Sequence, residues 1–354
     1  MSRPRPVTIS DIAKSAGLGK ATVSLALRDD PRIRVETRAR VKKLAIEMGY
    51  KANPIVSQVM SQLRKDRSAI FKGTLALMNA CAEKEVMESN LTFRALAHGF
   101  RERAEDLGFK VDEFWLDDPD WSTPERLKKV LFTRRIEGVA FVGMPERAHL
   151  PEQVQPLLAR SVFVGLGVRL IRPAVHCCSN DQYATSREAT RKMIGFRKQR
   201  VGLVVSRKID RLLEGRFSAG FFDALREDTG FSAEKMAEQV WNFQDGDEVG
   251  FLQWYERVKP DAILTTHIEI ADWMKKGPPE IREVALAHLD WDPAMQGWAG
   301  MNQNNILVGW AAVDLMTAHL TRRDLGLPVA VKTMVLESNW VDGKSLHPKM
   351  FFGG

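Results

Sequence analysis

The stretch 17-GLGKATVSLALR-28 decides the fold of the first part of this 354-residue chain. It follows residues 9–16, whose apolar positions recur at helical spacing. Thr8 can cap the N-terminus of this predicted helix. Gly17 suits the left-handed position that ends a helix, and Leu18 can fill the corner before the next helix. Two short helices joined by a tight glycine turn are therefore predicted.

A third helix completes the unit. The second helix is predicted over about 20–27, a loop follows at 29–34, and the third helix runs from Val35 until Gly49 ends it. Three short helices with this turn make a helix-turn-helix, whose second helix enters the DNA major groove. Lys20 is placed to read guanine acceptors. The side chains expected to reach phosphates or base edges are Thr22, Ser24, Arg28, Arg34 and Thr37.

The positive charge of the chain is concentrated in this N-terminal part. Residues 1–67 contain 15 Lys and Arg against 6 Asp and Glu, a net charge of +9, whereas the whole chain carries +7. The rest of the chain is therefore slightly acidic. This asymmetry favours a polyanion as the partner of the N-terminal part and a different task for the remainder.

Several other classes of protein are disfavoured. The first residues, MSRPRPVTISD, hold no apolar run, so we expect neither a signal peptide nor a membrane span, and a cytoplasmic location. Cys81, Cys177 and Cys178 are expected to be reduced thiols. The stretch 165-GLGVRL-170 lacks the third glycine of a dinucleotide loop, and no histidine pair has the spacing of a helical zinc site. We therefore expect no enzyme, no cofactor and no metal.

The N-terminal part resembles the LacI/GalR family of bacterial transcriptional regulators. The matching residues are 7-VTISDIAKSAG-17, 22-TVS-24 and 37-TRARVKKLAIEMGY-50. By resemblance, 53-NPIVSQVMSQLRK-65 is a hinge that folds into a helix on DNA and inserts an apolar side chain into the minor groove. Domains are accordingly expected at 1–52 for the helix-turn-helix, 53–67 for the hinge and 68–354 for the body.

Some positions depart from the family pattern. Gly19 stands where most members carry serine, and Leu25 stands where they carry arginine, so the operator sequence should differ. Leu25 can contact a thymine methyl group, and Val59 stands where the minor-groove leucine is usual. The complete predicted DNA-contacting set is Thr8, Lys20, Ala21, Thr22, Ser24, Leu25, Arg28, Arg34, Thr37, Asn53 and Val59.

Beyond residue 68, predicted strands and helices alternate along the chain. Strands are predicted at 73–80, 111–116, 136–144, 161–167, 200–205, 260–266 and 283–289. Helices are predicted at 92–109, 124–135, 185–196 and 216–228. Alternation of this kind is typical of doubly wound parallel α/β sheets. The number of units exceeds one small domain, so two such lobes with a cleft between them are expected.

The body also resembles the family, whose body has the fold of type I periplasmic sugar-binding proteins. The likeness rests on short patches in matching order, such as 216-RFSAGFFDAL-225, 260-PDAILTTHIEIA-271 and 303-QNNILVGWAAVDLM-316. It implies a first lobe over about 71–177 and 306–335, and a second lobe over about 178–305 and 336–354. Two heads that read paired half-sites require a homodimer, for which 92–109 and 306–320 are candidate contact segments.

The resemblance places an effector site in the cleft. Arg216 and Asp290 match the family's arginine and aspartate that hold polar groups of a small effector. His267 stands where sugar-responsive members often have asparagine, and Trp291 replaces a second aspartate. Asn79 and Phe93 are candidates from the first lobe, although each aromatic residue of this set fits a core position equally well.

The sequence therefore predicts a DNA-binding regulator, a repressor whose operator affinity a sugar-like effector controls. The partners implied are pseudo-palindromic double-stranded operator DNA, the effector and a second copy of the chain, with no membrane. The alternative is a cytoplasmic or exported sugar-binding protein without sequence-specific DNA function, for which the body alone would suffice. The basic helix-turn-helix favours the regulator.

Overall fold

The computed structural model describes residues 9–27, 33–48, 72–121, 123–143, 154, 157, 159–169, 172–244 and 246–352. The chain divides into two compact units, residues 1–69 and 70–354, called here the head and the body. In these described ranges, no helix is both long enough and apolar enough to cross a membrane.

The described residues of the head form three helices around a small core. They are α1 (Ile9–Ala16), α2 (Lys20–Leu27) and α3 (Val35–Glu47). Their inward faces bury Ile12, Ala13, Val23, Ala26, Val41 and Ala45. Gly17 adopts φ +66°, and Leu18 packs against the core while its amide donates to the Ala13 carbonyl at 3.0 Å. The predicted helix-turn-helix architecture is confirmed, because the turn and the corner residue are built as the sequence indicated.

The described residues of the body form two six-stranded sheets. The first has the order β11-β5-β4-β3-β1-β2 and is parallel throughout. Its strands are β1 (Gly73–Asn79), β2 (Phe109–Trp115), β3 (Gly138–Val142), β4 (Val162–Leu166), β5 (His176–Asn180) and β11 (Thr333–Leu336). The second has the order β12-β10-β9-β8-β6-β7, with only β12 antiparallel. Its strands are β6 (Val201–Ser206), β7 (Val240–Phe243), β8 (Ala262–Thr265), β9 (Ala285–His288), β10 (Ala299–Asn302) and β12 (Asn339–Val341).

Helices cover both sheets and give each lobe two apolar layers. They are α4 (Val86–Ser89), α5 (Leu91–Asp106), α6 (Pro124–Thr133), α7 (Gln182–Gly195), α8 (Arg207–Leu212), α9 (Arg216–Asp228), α10 (Ala233–Glu238), α11 (Glu248–Val258), α12 (Ile270–Lys276), α13 (Asn305–Arg322) and α14 (Pro348–Phe351). Strands β3, β4 and β6 are buried along their whole length, as expected for parallel strands covered on both faces. The predicted fold class, a helical head followed by two doubly wound α/β lobes, is confirmed.

The chain crosses between the lobes three times, and polar side chains tie the crossings together. Asn180 donates to the Gln303 carbonyl and, at 3.1 Å, to Asn305 Oδ1. Asn304, in the left-handed region at φ +56°, donates to the Glu337 carbonyl at 2.9 Å. Side-chain amides thus link the three backbone crossings between the lobes.

Helices α5 and α13 pack against each other in the first lobe at unusually close range. A Cβ atom on Gly99 would lie 2.0 Å from the Ile306 carbonyl oxygen, and one on Gly309 would lie 2.4 Å from that of Leu96. The two segments predicted to contact a second copy therefore contact each other inside the body. Ile306 and Leu307 remain 40% and 43% exposed on the outer face. Dimer contact through that outer face stays a prediction, as do the lobe bounds.

Some predicted elements differ from the structure. The helix predicted at 92–109 ends at Asp106, because Gly108 turns at φ +82° and Phe109 already pairs with Gly73 in β2. Strands β7, β10, β11 and β12 were not predicted from the sequence. They span only three or four residues each, so they offer no apolar run or alternation long enough to recognise.

Candidate functional site

Part of the predicted DNA-contacting set belongs to described elements of the head. Lys20, Ala21, Thr22, Ser24 and Leu25 lie in α2, the second helix of the helix-turn-helix. Arg34 is exposed immediately before α3, and Thr37 is partly exposed in its first turn. Thr8, Arg28, Asn53 and Val59 lie outside the described residues. Their contacts with DNA stay predictions.

Basic side chains line the outside of the described part of the head. Lys14, Arg34, Arg40 and Lys43 are exposed. Arg40 also donates to the Ala16 carbonyl at 3.2 Å, which ties α3 to the end of α1. The surface can therefore attract a polyanion, and one of its arginines also stabilises the helix packing.

The second candidate site is the cleft between the lobes of the body. The chain topology brings the carboxyl ends of strands from both sheets to this edge, where ligands bind in doubly wound folds. Leu212 and Leu213, which follow β6, pack against the apolar cluster of the first lobe that contains Val168 and Val175. The lobes are thus in direct contact on one side of the cleft.

Asp290 holds the lobes together through its carboxylate. Oδ2 accepts a hydrogen bond of 2.5 Å from Thr92 Oγ1 at the start of α5, and Oδ1 accepts one of 2.9 Å from Asn305 Nδ2 at the start of α13. The residue is partly exposed, yet burial raises the pKa of its carboxyl, and the two hydrogen bonds only partly oppose the rise. Asp290, which was predicted to bind the effector, therefore already accepts hydrogen bonds from two protein donors. A hydroxyl of a bound effector would have to replace them.

Arg216 takes part in a second contact between the lobes. Its Nη2 lies 2.8 Å from Glu214 Oε2, and the other oxygen of Glu214 lies 2.5 Å from Nη2 of Arg169. Arg169 follows β4 of the first lobe, whereas Glu214 and Arg216 belong to the second. Hydrogen bonding from Arg169, with a further contribution from Arg216, holds the pKa of Glu214 below its usual value against the opposing effect of burial.

His267 lies on an aromatic wall of the second lobe. Its ring meets Phe243 edge-on with centroids 4.7 Å apart, and Phe243 stacks on Trp241 at 4.9 Å. The His267 amide donates to Thr265 Oγ1 at 3.0 Å, and its Nδ1 lies 2.9 Å from Thr266 Oγ1. The imidazole is therefore held at the end of β8, partly exposed.

The remaining predicted effector residues have structural contacts. Both polar side-chain atoms of Asn79 are used in the loop after β1, accepting from the Cys81 amide at 2.9 Å and donating to the Lys84 carbonyl at 3.1 Å. The Trp291 indole donates to the Trp298 carbonyl at 2.9 Å. Phe93 packs partly buried against the core of the first lobe. Asn79 thus shapes the loop, and the two aromatic residues are anchored in their lobes.

A buried histidine supports the loop that carries Asp290. His288 accepts the Asp290 amide hydrogen bond at 3.1 Å through Nδ1. Burial lowers the pKa of His288 to about 4, so the ring is neutral at physiological pH and free to accept. No cluster of three or more His, Cys, Asp or Glu side chains suited to a metal ion occurs in the part of the chain that the structure describes.

Sequence reasoning missed four polar residues of the cleft. They are Thr92, Arg169, Glu214 and Asn305. Each stands at or just before the start of a helix, or follows a strand, at the carboxyl edge of a sheet. This position in the sequence could have marked them as candidates for the cleft. It does not identify the residue that each side chain contacts.

The architecture is a helix-turn-helix head followed by a two-lobed α/β body of the periplasmic-binding-protein type. Residues 8–53 match the family model described as "Bacterial regulatory proteins, lacI family". This family match covers the head and the residues that directly follow it.

Individual relatives and structures are distant. The chain is 29% identical over 136 residues to the HTH-type transcriptional regulator DegA of Bacillus subtilis (strain 168), an alignment that covers 38% of this chain. It spans only about a third of the length of that curated relative, 35%. A transcriptional regulator CelR–cellobiose complex matches 97% of this chain and 100% of its own, with a TM-score of 0.59 and 18% identity. The Lac repressor dimer bound to operator and the anti-inducer ONPF matches 97% of this chain and 99% of its own, with a TM-score of 0.53 and 17% identity. At this level of identity, the two structures support the fold of the chain and nothing further.

Proposed function

We propose that this chain is a sequence-specific DNA-binding transcriptional regulator, a repressor whose operator affinity a small molecule controls. The observation that carries the proposal is the joint presence of the family-matched helix-turn-helix and a two-lobed body. A body that only bound a ligand would have no use for a basic head that places a helix for the major groove. The regulator has no catalytic task and acts in the cytoplasm, where its operator is.

Reading an operator requires two heads. A two-fold symmetric pair matches a pseudo-palindromic site whose half-sites lie about one helical turn apart. The outer face of α13, with Ile306 and Leu307 exposed, supports a homodimer contact on the body. The similarity to a structure described as a repressor dimer bound to operator is consistent with this arrangement.

The switch is a shift between two arrangements of the lobes. In this switch the three crossings between the lobes stay linked, whereas the hydrogen bond from Thr92 to Asp290, which joins the lobes, breaks when they separate. A ligand that binds one arrangement better than the other changes its population, and coupling of this kind is typically about 1–3 kcal/mol. A sugar is the ligand class that the polar groups Asp290, His267 and Asn305 suit, and one similar structure is described as a cellobiose complex.

The first experiment selects bound fragments of the source genome with the full-length protein at near-physiological salt. We expect enrichment of one pseudo-palindromic site. Thr22→Ala and Arg28→Ala should each weaken binding to that site by about tenfold or more, since one base or phosphate contact contributes about 1–3 kcal/mol. Ligand binding by the body should not change.

The control is Arg134→Ala, which removes one positive charge from the body, where Arg134 pairs with Asp112 at 2.6 Å. Its operator affinity should equal that of the parent protein. Binding that remains sequence-blind and salt-sensitive, with and without a metabolite extract, would refute the repressor assignment. An equal loss of ligand binding in the Thr22 and Arg28 variants would refute the division of labour between head and body.

A further inference from the structure

Two arginines from opposite lobes meet on one carboxylate in the cleft. Arg169 of the first lobe and Arg216 of the second both bind Glu214, at 2.5 Å and 2.8 Å. Arg216 also lies 3.5 Å from the buried side chain of Gln182, which limits its movement. Glu214 itself sits in a tight turn at φ +58°, just before α9. A carboxylate thus fills a position where two guanidinium groups converge.

We propose that the effector is an anionic sugar, a sugar phosphate or a sugar acid, whose anion replaces Glu214 between Arg169 and Arg216. This inference rests on the proposed function, because it names the ligand class of the same cleft. Planar guanidinium groups bind carboxylate and phosphate oxygens in the same paired geometry, so an incoming anion can take over both contacts. A neutral hydroxyl cannot, because it would leave two arginines without a counter-charge.

The surroundings of Arg169, Glu214 and Arg216, called here the triad, favour a negatively charged ligand. The segment 207–216, RKIDRLLEGR, carries four basic and two acidic residues, and Arg207, Lys208 and Arg211 are exposed. At the ion pair itself, the two positive groups of Arg169 and Arg216 meet the single carboxylate of Glu214. An excess of one sign in a cleft with apolar walls raises the local concentration of oppositely charged ligands.

The exchange is accessible without opening a core. The side chains of Arg169, Glu214 and Arg216 are 47%, 33% and 27% exposed. An exposed ion pair of this kind is worth little in itself, so a ligand anion that brings further contacts can displace it. Glu214 would then turn towards solvent while both arginines stay in place.

Two further carboxylates of the second lobe are the hydroxyl acceptors in this proposal. Asp210, one turn before Glu214, is buried, and its Oδ1 has no hydrogen-bond donor among the residues that the structure describes. Its Oδ2 accepts from Ser218 Oγ at 2.8 Å. Asp290 provides a second carboxylate at the end of β9. Carboxylates that accept from hydroxyls suit the sugar part, and the two arginines suit the anion.

The test is calorimetric titration of the full chain, without DNA, using hexose phosphates, hexuronates, the parent neutral hexoses and inorganic phosphate. We expect at least one anionic sugar to bind at least tenfold more tightly than its neutral parent. Glu214→Gln, which keeps the shape and removes the competing charge, should raise that affinity by about tenfold. Arg169→Gln should lower it by at least tenfold, and Arg169→Lys should restore only part of it.

Arg134→Gln is the matched control, since it removes an exposed arginine that pairs with Asp112 outside the triad. Its affinities should stay within twofold of the parent. If the protein binds hexose phosphates more tightly than hexuronates, the anionic group of the effector is a phosphoryl group. The reverse preference identifies it as a carboxylate. Neutral hexoses that bind as tightly as every anion, an unchanged anion affinity in Glu214→Gln, or no binding of any anion at millimolar concentration would each overturn the proposal. Because DNA is absent, these outcomes are independent of the operator selection that tests the regulator assignment.

Discussion

Replacing Gly99 by alanine tests how closely α5 and α13 must approach to build the cleft. The new Cβ would lie 2.0 Å from the carbonyl oxygen of Ile306 and 2.9 Å from its Cα. Carbon and carbonyl oxygen need about 3.3 Å, so the helices must separate locally by more than about 1 Å. The obstacle is backbone rather than the end of a flexible side chain, so a rotamer change cannot relieve it.

The expected cost follows from two opposing terms. Alanine in place of glycine favours the helix by about 1 kcal/mol. Overpacking a tight contact costs typically about 1–3 kcal/mol, and a clash with backbone lies at the upper end. We therefore expect Gly99→Ala to lower the free energy of unfolding of the body by about 2 kcal/mol. Because α5 carries Thr92 and α13 begins with Asn305, the same separation should weaken both hydrogen bonds to Asp290 and reduce effector affinity.

Urea unfolding of the parent and of two glycine variants measures this effect. Gly195→Ala, at the end of α7, is the control, because a Cβ atom there meets nothing within 4 Å. It should be neutral or stabilise by up to about 1 kcal/mol. A Gly99→Ala protein as stable as the Gly195→Ala protein would show that the helices are not packed as closely as described.

Further predictions concern Asp290 and the buried histidines. Asp290→Asn should leave operator binding intact but remove its response to the effector, as measured by DNA-binding anisotropy with and without ligand; an unchanged response would exclude Asp290 from the switch. Burial lowers the pKa of His176 and of His288 from 6.5 in the unfolded chain to about 4. The unfolded state then binds more protons, so stability is complete above about pH 6.5 and falls as the pH drops towards 4. At pH 5 each histidine should lower the free energy of unfolding by about 2 kcal/mol relative to pH 7. Urea unfolding at pH 7 and 5 measures this loss, and equal stability at both would contradict neutral burial.

The architecture was predictable where the signals are local. Gly17 ends α1, and the adjacent Leu18 fills the corner before α2. One short stretch of sequence therefore predicts the helix-turn-helix. The body's alternating strands and helices predicted two doubly wound lobes, because buried parallel strands need long apolar runs. The short strands β7, β10, β11 and β12 gave no such run and were missed.

The cleft was predictable only in part. Arg216 and Asp290 were expected from the family resemblance, and the structure places both at the carboxyl edge of the second sheet. Their partners were not expected. Asp290 meets Thr92 across 198 residues of sequence, and Glu214 meets Arg169 across 45. Such pairs depend on how two lobes approach, which no local pattern records.

The amino-acid sequence by itself determined the helix-turn-helix, the charge difference between head and body, and the doubly wound class of each lobe. Each follows from short-range rules of helix capping, burial and composition. Only the tertiary structure decided that Asp290 bridges the lobes and that Glu214 occupies the place between two arginines. Hydrogen bonds and ion pairs act over about 3 Å in space, and residues far apart in sequence come within that range only after the sheets have packed and the chain has crossed between the lobes.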